Sequence, residues 1–371
     1  MKKSMNQSLL CLLFSIIFII SCTKPGPNAP PKLPTPDATR TKLTDAALVW
    51  IRPFREIEYK GSANFGFWEE SALVRTFWVA PVGNAWAVVA QRPGLFIALG
   101  QRLTEVIIAR YHHRMTELPP ATEQDSDALK ECRGMVQDNS LTEGISAQGS
   151  GLILQDLGTG TKTPLLPAAA SLEALEYPSE SVRFAELLGG LGPYLFLRVH
   201  GYNQPCGMRP FNVDEFEIID LAQGIPVTTK FSGTDEQSTW KKYFDLHVRR
   251  KELEPMINKQ LQEYDSGIEY DAGNLYVAHF YPVFPESLAN IGFQVAYHYW
   301  AGCRACPSFD GYALAEELPP EMQDYAPMHP AIAAMRSRVP KGWRIGGISV
   351  LSTTPAEVTR LRRVFDAVEP K

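Results

Sequence analysis

The sequence of 371 residues predicts an α+β fold in which a mostly antiparallel sheet packs with a few helices. Short runs rich in β-branched and aromatic residues, bounded by Gly and Pro turn signals, favour strands over much of the chain. The 45% share of hydrophobic residues is enough to build a large core. A capping box near the C-terminus predicts a final helix that docks on this core.

The first 21 residues have the organisation of a secretory signal peptide. Lys2 and Lys3 form a positive leader, an apolar run follows, and a small residue precedes Cys22. The ending Ile19-Ile20-Ser21-Cys22 resembles the lipobox of bacterial lipoproteins. This resemblance implies that Cys22 is acylated and becomes the N-terminus of the mature protein.

Other structures for residues 1–21 explain fewer of these features. A transmembrane helix would need about 20 apolar residues, more than this segment contains. An ordinary cleaved signal would more often end in an Ala-x-Ala-like site. A buried N-terminal helix would not explain the lysines together with the prolines that follow. We therefore expect a lipoprotein signal peptide and a lipid anchor in a membrane.

Residues 22–41 are rich in proline and poor in large apolar side chains. Such a composition favours extended polyproline II structure and cannot pack a core. We expect a semi-rigid tether that separates the lipid from the folded part. Because Thr23 rather than Asp follows the cysteine, the lipoprotein resemblance favours the outer membrane over the cytoplasmic membrane. The folded part would then face the periplasm or the exterior.

The charge of the chain argues against nucleic acid as its main partner. The formal net charge is −5 at pH 7, whereas proteins that bind nucleic acid usually present basic patches. No sequence motif predicts a metal ion, a cofactor or a catalytic residue.

Four cysteines remain after the signal peptide and the lipidated Cys22: Cys132, Cys206, Cys303 and Cys306. In an oxidising compartment they predict two disulfides, for which three connectivities are possible. A zinc site is the alternative, although its ligands usually come as two close pairs and only one pair is close here.

Residues 42–118 are predicted to form an N-terminal α+β region. Two β-type runs, 74–80 and 85–90, flank the turn signal Pro81-Val82-Gly83-Asn84. Apolar residues then recur at helical spacing between Pro93 and Met115, which predicts an amphipathic helix.

Residues 119–149 are polar, and we expect a linker or a long surface loop there. Residues 150–371 are predicted to form a β-rich α+β domain. It would contain one or two helices between 237 and 264 and strands at 275–282 and 291–300.

The segments 152–160 and 216–224 share one form: a strand, then Asp-Leu, then a glycine turn. The form resembles blades of a β-propeller, but two copies more than 60 residues apart do not match a repeat of about 40–50 residues. We interpret the similarity as a shared hairpin device.

The end of the chain carries clear helix signals. Thr354-Pro355-Ala356-Glu357 is a capping box with Pro at the first helical position. An apolar stripe follows, formed by Val358, Leu361, Phe365 and Val368. This pattern predicts the docking helix.

Residues 190–335 resemble the extracytoplasmic domain of unknown function found in lysozyme-sensing anti-sigma factors and beside some peptidoglycan deacetylase domains. The resemblance rests on the order of the strand 194–202, the Asp-Leu-Gly segment 219–227, a helix-rich insert, the strand 292–299 and the segment 312–319. The glycine-alanine-histidine turn of that family is here Asn203-Gln204-Pro205-Cys206-Gly207. The resemblance implies a binding or accessory domain without catalytic residues.

Cys303-Arg304-Ala305-Cys306 is the one motif that suggests a reaction. A C-x-x-C after an apolar strand resembles the active turn of thioredoxin-like oxidoreductases. No strongly amphipathic helix follows, and the 65 residues beyond Cys306 are too few for the rest of that fold. A structural bridge is the alternative interpretation.

The strand 291–300 separates its side chains into two faces. Phe293, Val295, Tyr297 and Tyr299 share one face, whereas Gln294, Ala296, His298 and Trp300 share the other. We expect one face to be core. The other is a candidate ligand platform, on which His298 and Trp300 would stack against glycan or peptide. His200, His279 and His298 lie in separate predicted strands and could converge, with partly buried, hydrogen-bonded roles.

Together these features predict a membrane-anchored lipoprotein of the bacterial envelope with a non-enzymatic binding, sensing or scaffold role. Its partner would be an envelope protein or a cell-wall ligand. The alternatives are a thiol-disulfide oxidoreductase that uses Cys303 and Cys306, and a wall-active hydrolase with dispersed carboxylates.

Overall fold

The computed structural model describes residues 44–53, 74–166, 177–226, 253–264, 275–300 and 308–368, apart from 119, 121, 124, 139–143, 224 and 319. The predicted signal peptide, the tether, Cys22, Cys303 and Cys306 lie outside the described residues. Residues Leu43–Lys371 cluster as one compact unit. This unit has mixed α and β structure with a large, mostly antiparallel sheet, as the sequence predicts.

The strands that the structure describes are β1 (Thr44–Pro53), β2 (Arg75–Val82), β3 (Ala85–Pro93), β4 (Leu95–Leu99), β5 (Arg102–Met115), β6 (Ile145–Asp156), β7 (Lys162–Leu166), β8 (Pro178–Leu191), β9 (Tyr194–Pro205), β10 (Phe211–Asp220), β11 (Ile225–Pro226), β12 (Leu275–Val283), β13 (Gly292–Trp300), β14 (Ser308–Ala315) and β15 (Trp343–Thr353). The α-helices of the same residues are α1 (Asp127–Gln137), α2 (Leu253–Tyr264), α3 (Pro330–Arg336) and α4 (Pro355–Ala367), and a 3-10 helix spans Pro320–Tyr325.

Twelve strands form the large sheet. Its main path runs β11-β10-β9-β8-β15-β1-β2-β3, in which only the β8–β15 pair is parallel. A second branch leaves β8 through a parallel pair with β6, which also pairs with β5 and β7, and β4 pairs with β5. Strands β12, β13 and β14 form a separate antiparallel sheet of three. Strands from both sides of residues 119–149 therefore share one sheet, and the described part of that segment contains α1 and the start of β6.

The helix predicted between Pro93 and Met115 is wrong, because the segment forms the β4–β5 hairpin. Leu99 pairs with Arg102, and Gly100 between them has a φ of +59°. A glycine with positive φ at the first turn position is typical of a type II′ hairpin, which matches the twist of the flanking strands. The apolar positions fit a helical period, but β4 is buried along its whole length, so its residues need no polar alternation.

The core between the two sheets is aromatic. Phe196 and Ile218 of the large sheet meet Phe280 and Phe293 of the small sheet, with the Phe196–Phe293 ring centroids 5.7 Å apart. The core face predicted for the strand 291–300 is confirmed, since its residues Phe293, Val295, Tyr297 and Tyr299 are all buried in this cluster.

The C-terminal helix α4 begins as its capping box predicts. The hydroxyl of Thr354 accepts a hydrogen bond from the Glu357 amide at 3.3 Å. Leu361 and Phe365 are buried, and the Phe365 ring lies 5.6 Å from the ring of Trp78. None of the helices in the described ranges has the length and apolar character that crossing a membrane requires.

The two Asp-Leu-Gly segments use the same turn. The Asp156 carboxylate accepts hydrogen bonds from the amides of Gly158 and Thr159 at 2.8 and 3.0 Å. The Asp220 carboxylate does the same for Ala222 and Gln223. Both are Asx turns, in which the aspartate side chain replaces a backbone acceptor.

Candidate functional site

A cluster of charged and aromatic side chains lies beside the aromatic core, where β8, β9 and β10 face β12. Cross-strand pairing places Glu186 opposite Arg198 and His200 opposite Asp214. Arg198 and His200 follow Phe196 at alternate positions, so they lie on the face of the large sheet that meets the small sheet. The register thus directs four polar side chains toward the region between the sheets.

Arg198 and Asp214 form the best-oriented ion pair of this cluster. The guanidinium donates from Nε to Oδ1 at 2.7 Å and from Nη2 to Oδ2 at 2.9 Å. This bidentate geometry fits a planar guanidinium to a planar carboxylate. Burial alone would raise the pKa of Asp214, but the hydrogen bonds and charge of Arg198 outweigh it, so the pKa is lowered.

Arg52 of β1 extends the cluster toward β8. Its Nη1 donates to the Leu187 carbonyl at 2.7 Å and lies 3.5 Å from Oε1 of Glu186. Both charged side chains are largely buried, at 12% and 14% exposure. Partners of this kind are needed because an unpaired charge at such depth would be strongly destabilising.

Tyr281 of β12 lies between two arginines. The Arg344 guanidinium is 4.7 Å from the Tyr281 ring centroid and donates to its hydroxyl at 3.3 Å. The Arg52 guanidinium is 5.9 Å from the same ring. Burial raises the pKa of the Tyr281 hydroxyl, although the charge of Arg52 opposes the shift. The phenol therefore stays protonated and neutral beside two cations.

His279, two residues before Tyr281, is 5% exposed and surrounded by rings. Its centroid lies 6.1 Å from that of Tyr281 and 6.3 Å from those of Phe216 and Tyr312. Burial, helped by the charge of Arg198 and opposed by the charge of Asp214, lowers the pKa of His279 to about 3. Within the described residues its Nδ1 has no hydrogen-bond partner. His279 is therefore a neutral imidazole held in an apolar setting.

The cluster makes the fold sensitive to acid, and His279→Phe is expected to reduce this sensitivity. In the unfolded chain the His279 pKa returns to about 6.5. Its contribution is fully present above that pH and is lost as the pH falls toward 3. The loss is on the order of 3 kcal/mol between pH 6.5 and pH 4. Urea unfolding at a series of pH values measures it, and the variant should show a flatter profile.

His112→Phe is the matched control for this experiment because the His112 side chain is exposed on β5. The control should keep the pH profile of the wild-type protein. Equal profiles for wild type and His279→Phe below pH 6 would contradict the buried, neutral assignment of His279.

The structure brings together two of the three histidines that the sequence analysis grouped. His200 and His279 both lie within electrostatic range of the Asp214 carboxylate and of each other, and burial lowers the pKa of His200. His298 is half-buried on β13, opposite Tyr276 and Asp310. Trp300 ends the same strand, on the same face as His298, and its side chain is not among those described.

Cys132 and Cys206 form a disulfide with a Cα–Cα distance of 4.9 Å. Disulfide bonding is thus confirmed for this pair of the four candidates. Both residues are buried, and the bridge joins α1 to the residue that follows β9. A bridged pair is not available to a metal ion, and no group of three His, Cys, Asp or Glu in the described residues is arranged to hold one.

The charge cluster was not predicted from the sequence. Arg52, Glu186, Arg198 and Arg344 carry no motif, and they are brought together by strand pairing across the chain. Comparison with family models, with curated proteins and with solved structures finds no match.

Proposed function

We propose that the protein is a membrane-anchored lipoprotein of the bacterial envelope with a non-enzymatic binding, sensing or scaffold role. A lipid on Cys22 would hold it in the outer or the cytoplasmic membrane, and residues 22–41 would separate the lipid from the folded unit. Its partner would be an envelope protein or a cell-wall ligand, with His298 and Trp300 as a candidate platform.

The disulfide between Cys132 and Cys206 is the observation that carries this proposal. Structural disulfides persist in oxidising compartments such as the periplasm and are rare in the cytosol. A buried bridge therefore supports an extracytoplasmic location, in agreement with the lipobox resemblance at residues 19–22.

Two further features support a binding role. Residues 190–335 resemble an extracytoplasmic domain for which no catalytic residues are implied. The best-defined polar cluster is internally paired: Asp214 neutralises Arg198, and Glu186 lies beside Arg52. In this proposal α4 docks on the core through Leu361 and Phe365, and so secures the end of the chain.

Metabolic labelling with a clickable fatty acid tests the anchor. The wild-type protein should incorporate the label, and Cys22→Ala should lose it, because the acylated sulfur is absent. Cys11→Ala is the matched control, since Cys11 lies within the signal peptide and should not affect labelling. Label retained in Cys22→Ala would contradict the proposal.

A further inference from the structure

The second half of strand β5 is an edge of the large sheet in the part of the chain that the structure describes. Strand β4 pairs with β5 only from Arg102 to Val106, whereas β6 pairs with it on the other side as far as Met115. Beyond Val106 no other described strand pairs with β5. We define residues 107–115 as the open edge. An edge of this kind presents N–H and C=O groups that can pair with a strand of another molecule.

The backbone of the open edge points outward at the even-numbered residues. The Leu103 carbonyl accepts a hydrogen bond from the Leu157 amide, just beyond β6, at 2.9 Å, so the backbone groups of Leu103 face the β6 side. The register between β5 and β6 has no shift along their whole pairing. Because successive residues of a strand direct their backbone groups to opposite sides, Arg110 and His112 direct theirs away from β6. These two residues therefore offer N–H and C=O groups to an added strand.

The same positions carry the basic side chains of the open edge. Arg110, His112 and Arg114 alternate along β5, so they share one face, and all three are exposed. Their partners on β6 are uncharged: Ser150, Gln148 and Ser146. An added strand would place its own side chains on this face directly beside the basic ones, where opposite charges attract and like charges repel.

This charge pattern selects among the possible occupants of the open edge. In a second copy of this chain, paired edge to edge, Arg110 and Arg114 would lie beside the same basic side chains of the other copy. Like charges on paired strands oppose that association. A strand with carboxylates at alternate positions would instead place each carboxylate next to a basic side chain. The pattern therefore favours an acidic partner strand over self-association.

We propose that the open edge binds an extended acidic segment of a partner protein as an added antiparallel β-strand. Main-chain hydrogen bonds to Arg110 and His112 give the affinity, and carboxylates at alternate positions give the specificity. Strands β4 and β6 are both antiparallel to β5, and the added strand follows the same pattern. The inference rests on the binding role proposed above, but it concerns a surface other than the platform of His298 and Trp300.

Fluorescence anisotropy with a labelled synthetic peptide tests this inference on the mature, full-length protein. The probe alternates glutamate with threonine, and the salt concentration is set to about 0.15 M so that charges more than about 8 Å apart are largely screened. In an antiparallel pair the residue opposite Arg110 shares its face and directs its N–H toward β5. A probe that is N-methylated at the glutamates keeps every charge but loses these hydrogen bonds. We expect it to bind at least about tenfold more weakly than the unmodified probe.

A charge reversal tests the specificity of the open edge. Arg110→Glu should weaken binding of the glutamate probe at least about tenfold and should create binding of a probe with lysine in place of glutamate. Arg102→Glu is the matched control, because Arg102 is exposed on the same strand but pairs with β4. It should leave the affinity within about twofold of the wild type, since it lies more than 20 Å from Arg110 along the strand by a rise of about 3.4 Å per residue.

Hydrogen exchange distinguishes strand addition from charge attraction alone. On binding of the glutamate probe, the amides of Arg110 and His112 should exchange at least about tenfold more slowly, because they gain hydrogen bonds. The amides of Ala109 and Tyr111 face β6 and should change little. Circular dichroism confirms that each variant is folded. If Arg110→Glu does not fold, His112→Glu takes its place in the charge reversal.

Any of five results would overturn the inference. They are no saturable binding of the glutamate probe up to about 1 mM, equal binding of the N-methylated probe, binding that the charge reversal does not weaken, no protection of the Arg110 and His112 amides, or a dimer of the protein that the probe dissociates. The last result would assign the open edge to a second copy. Failure of lipid labelling at Cys22 would remove the proposed anchor but would alter none of these results, so the two proposals fail separately.

Discussion

Replacing Cys132 and Cys206 together with alanine is expected to lower the free energy of unfolding by about 4 kcal/mol. The two cysteines are 74 residues apart in the sequence, and the bridge closes a loop that contains β6, β7, β8 and β9. Closing a loop of this length removes much of the conformational entropy of the unfolded chain, and the chain-entropy model assigns it about 4 kcal/mol. Urea unfolding of the purified protein measures the difference.

A reducing agent provides the control for this prediction. Reduction of the wild-type protein should lower its stability by a similar amount, because both cysteines are buried and lose the same covalent link. The double alanine variant lacks that bridge, so any remaining effect of the reducing agent reports on Cys303 and Cys306. A stability loss below about 1 kcal/mol would contradict the structural role of the bridge.

The double alanine variant also tests the redox alternative. Trapping of free thiols in the double alanine variant shows whether Cys303 and Cys306 are joined and how readily the bond is reduced. A readily reduced pair would support an oxidoreductase, since catalytic disulfides are less stable than structural ones. A bridge that resists reduction by glutathione would instead support the binding role.

Short sequence motifs correctly predicted the turns and the helix start, whose structure depends on residues close together in the chain. The turn signal at residues 81–84 corresponds to the β2–β3 hairpin, in which Gly83 has a φ of +62°. The capping box at Thr354 corresponds to the start of α4. The shared Asp-Leu-Gly form corresponds to two Asx turns. In each case a side-chain hydrogen bond to a nearby amide, or a glycine with positive φ, sets the backbone conformation within a few residues.

The helix predicted between Pro93 and Met115 shows where such signals fail. Its apolar positions satisfy a helical period, yet Gly100 interrupts the run and allows a tight hairpin turn. A strand that is buried on both faces lacks the polar alternation that identifies strands in a sequence. The pairing of β5 with β4 and, over twelve residues, with β6 explains why this segment is extended.

To predict the charge cluster, one would need the register of the strand pairs as well as the positions of the strands. Arg198 meets Asp214 only because β9 and β10 pair with His200 opposite Asp214. A shift of one residue would move Arg198 to the other face of the sheet. The sequence does place His200 and His279 in separate strands, but it does not indicate that both would lie near one carboxylate.

Gly346→Ala is expected to destabilise the fold by about 3 kcal/mol or more, because its position leaves no room for a methyl group. A Cβ at Gly346 would lie 1.9 Å from Cζ3 of Trp50, and one at Gly347 would lie 2.5 Å from the indole nitrogen. Trp50 pairs with Gly347, Ile51 pairs with Ile345, and Gly346 is the extra residue of a β-bulge.

The bulge explains why two neighbouring glycines both contact the same ring. In a regular strand their Cβ atoms would point to opposite faces. Trp50 is 2% exposed and packs in a cluster with Leu95 and Leu187, so it cannot move aside without disturbing the core. Urea unfolding followed by tryptophan fluorescence measures the loss of stability.

Gly134→Ala is the matched control: apart from its chain neighbours and the backbone of α1 itself, no atom of the described residues lies within 4 Å of the Cβ position at this exposed site. It should stabilise the protein by about 0.5–1 kcal/mol, because alanine is the better helix former. If Gly346→Ala does not fold, Gly346→Ala combined with Trp50→Leu keeps the prediction testable. The smaller side chain should partly restore folding, because a clash between two residues makes their substitutions non-additive. A Gly346→Ala variant within about 0.5 kcal/mol of the wild type would show that Trp50 does not lie against the β15 backbone.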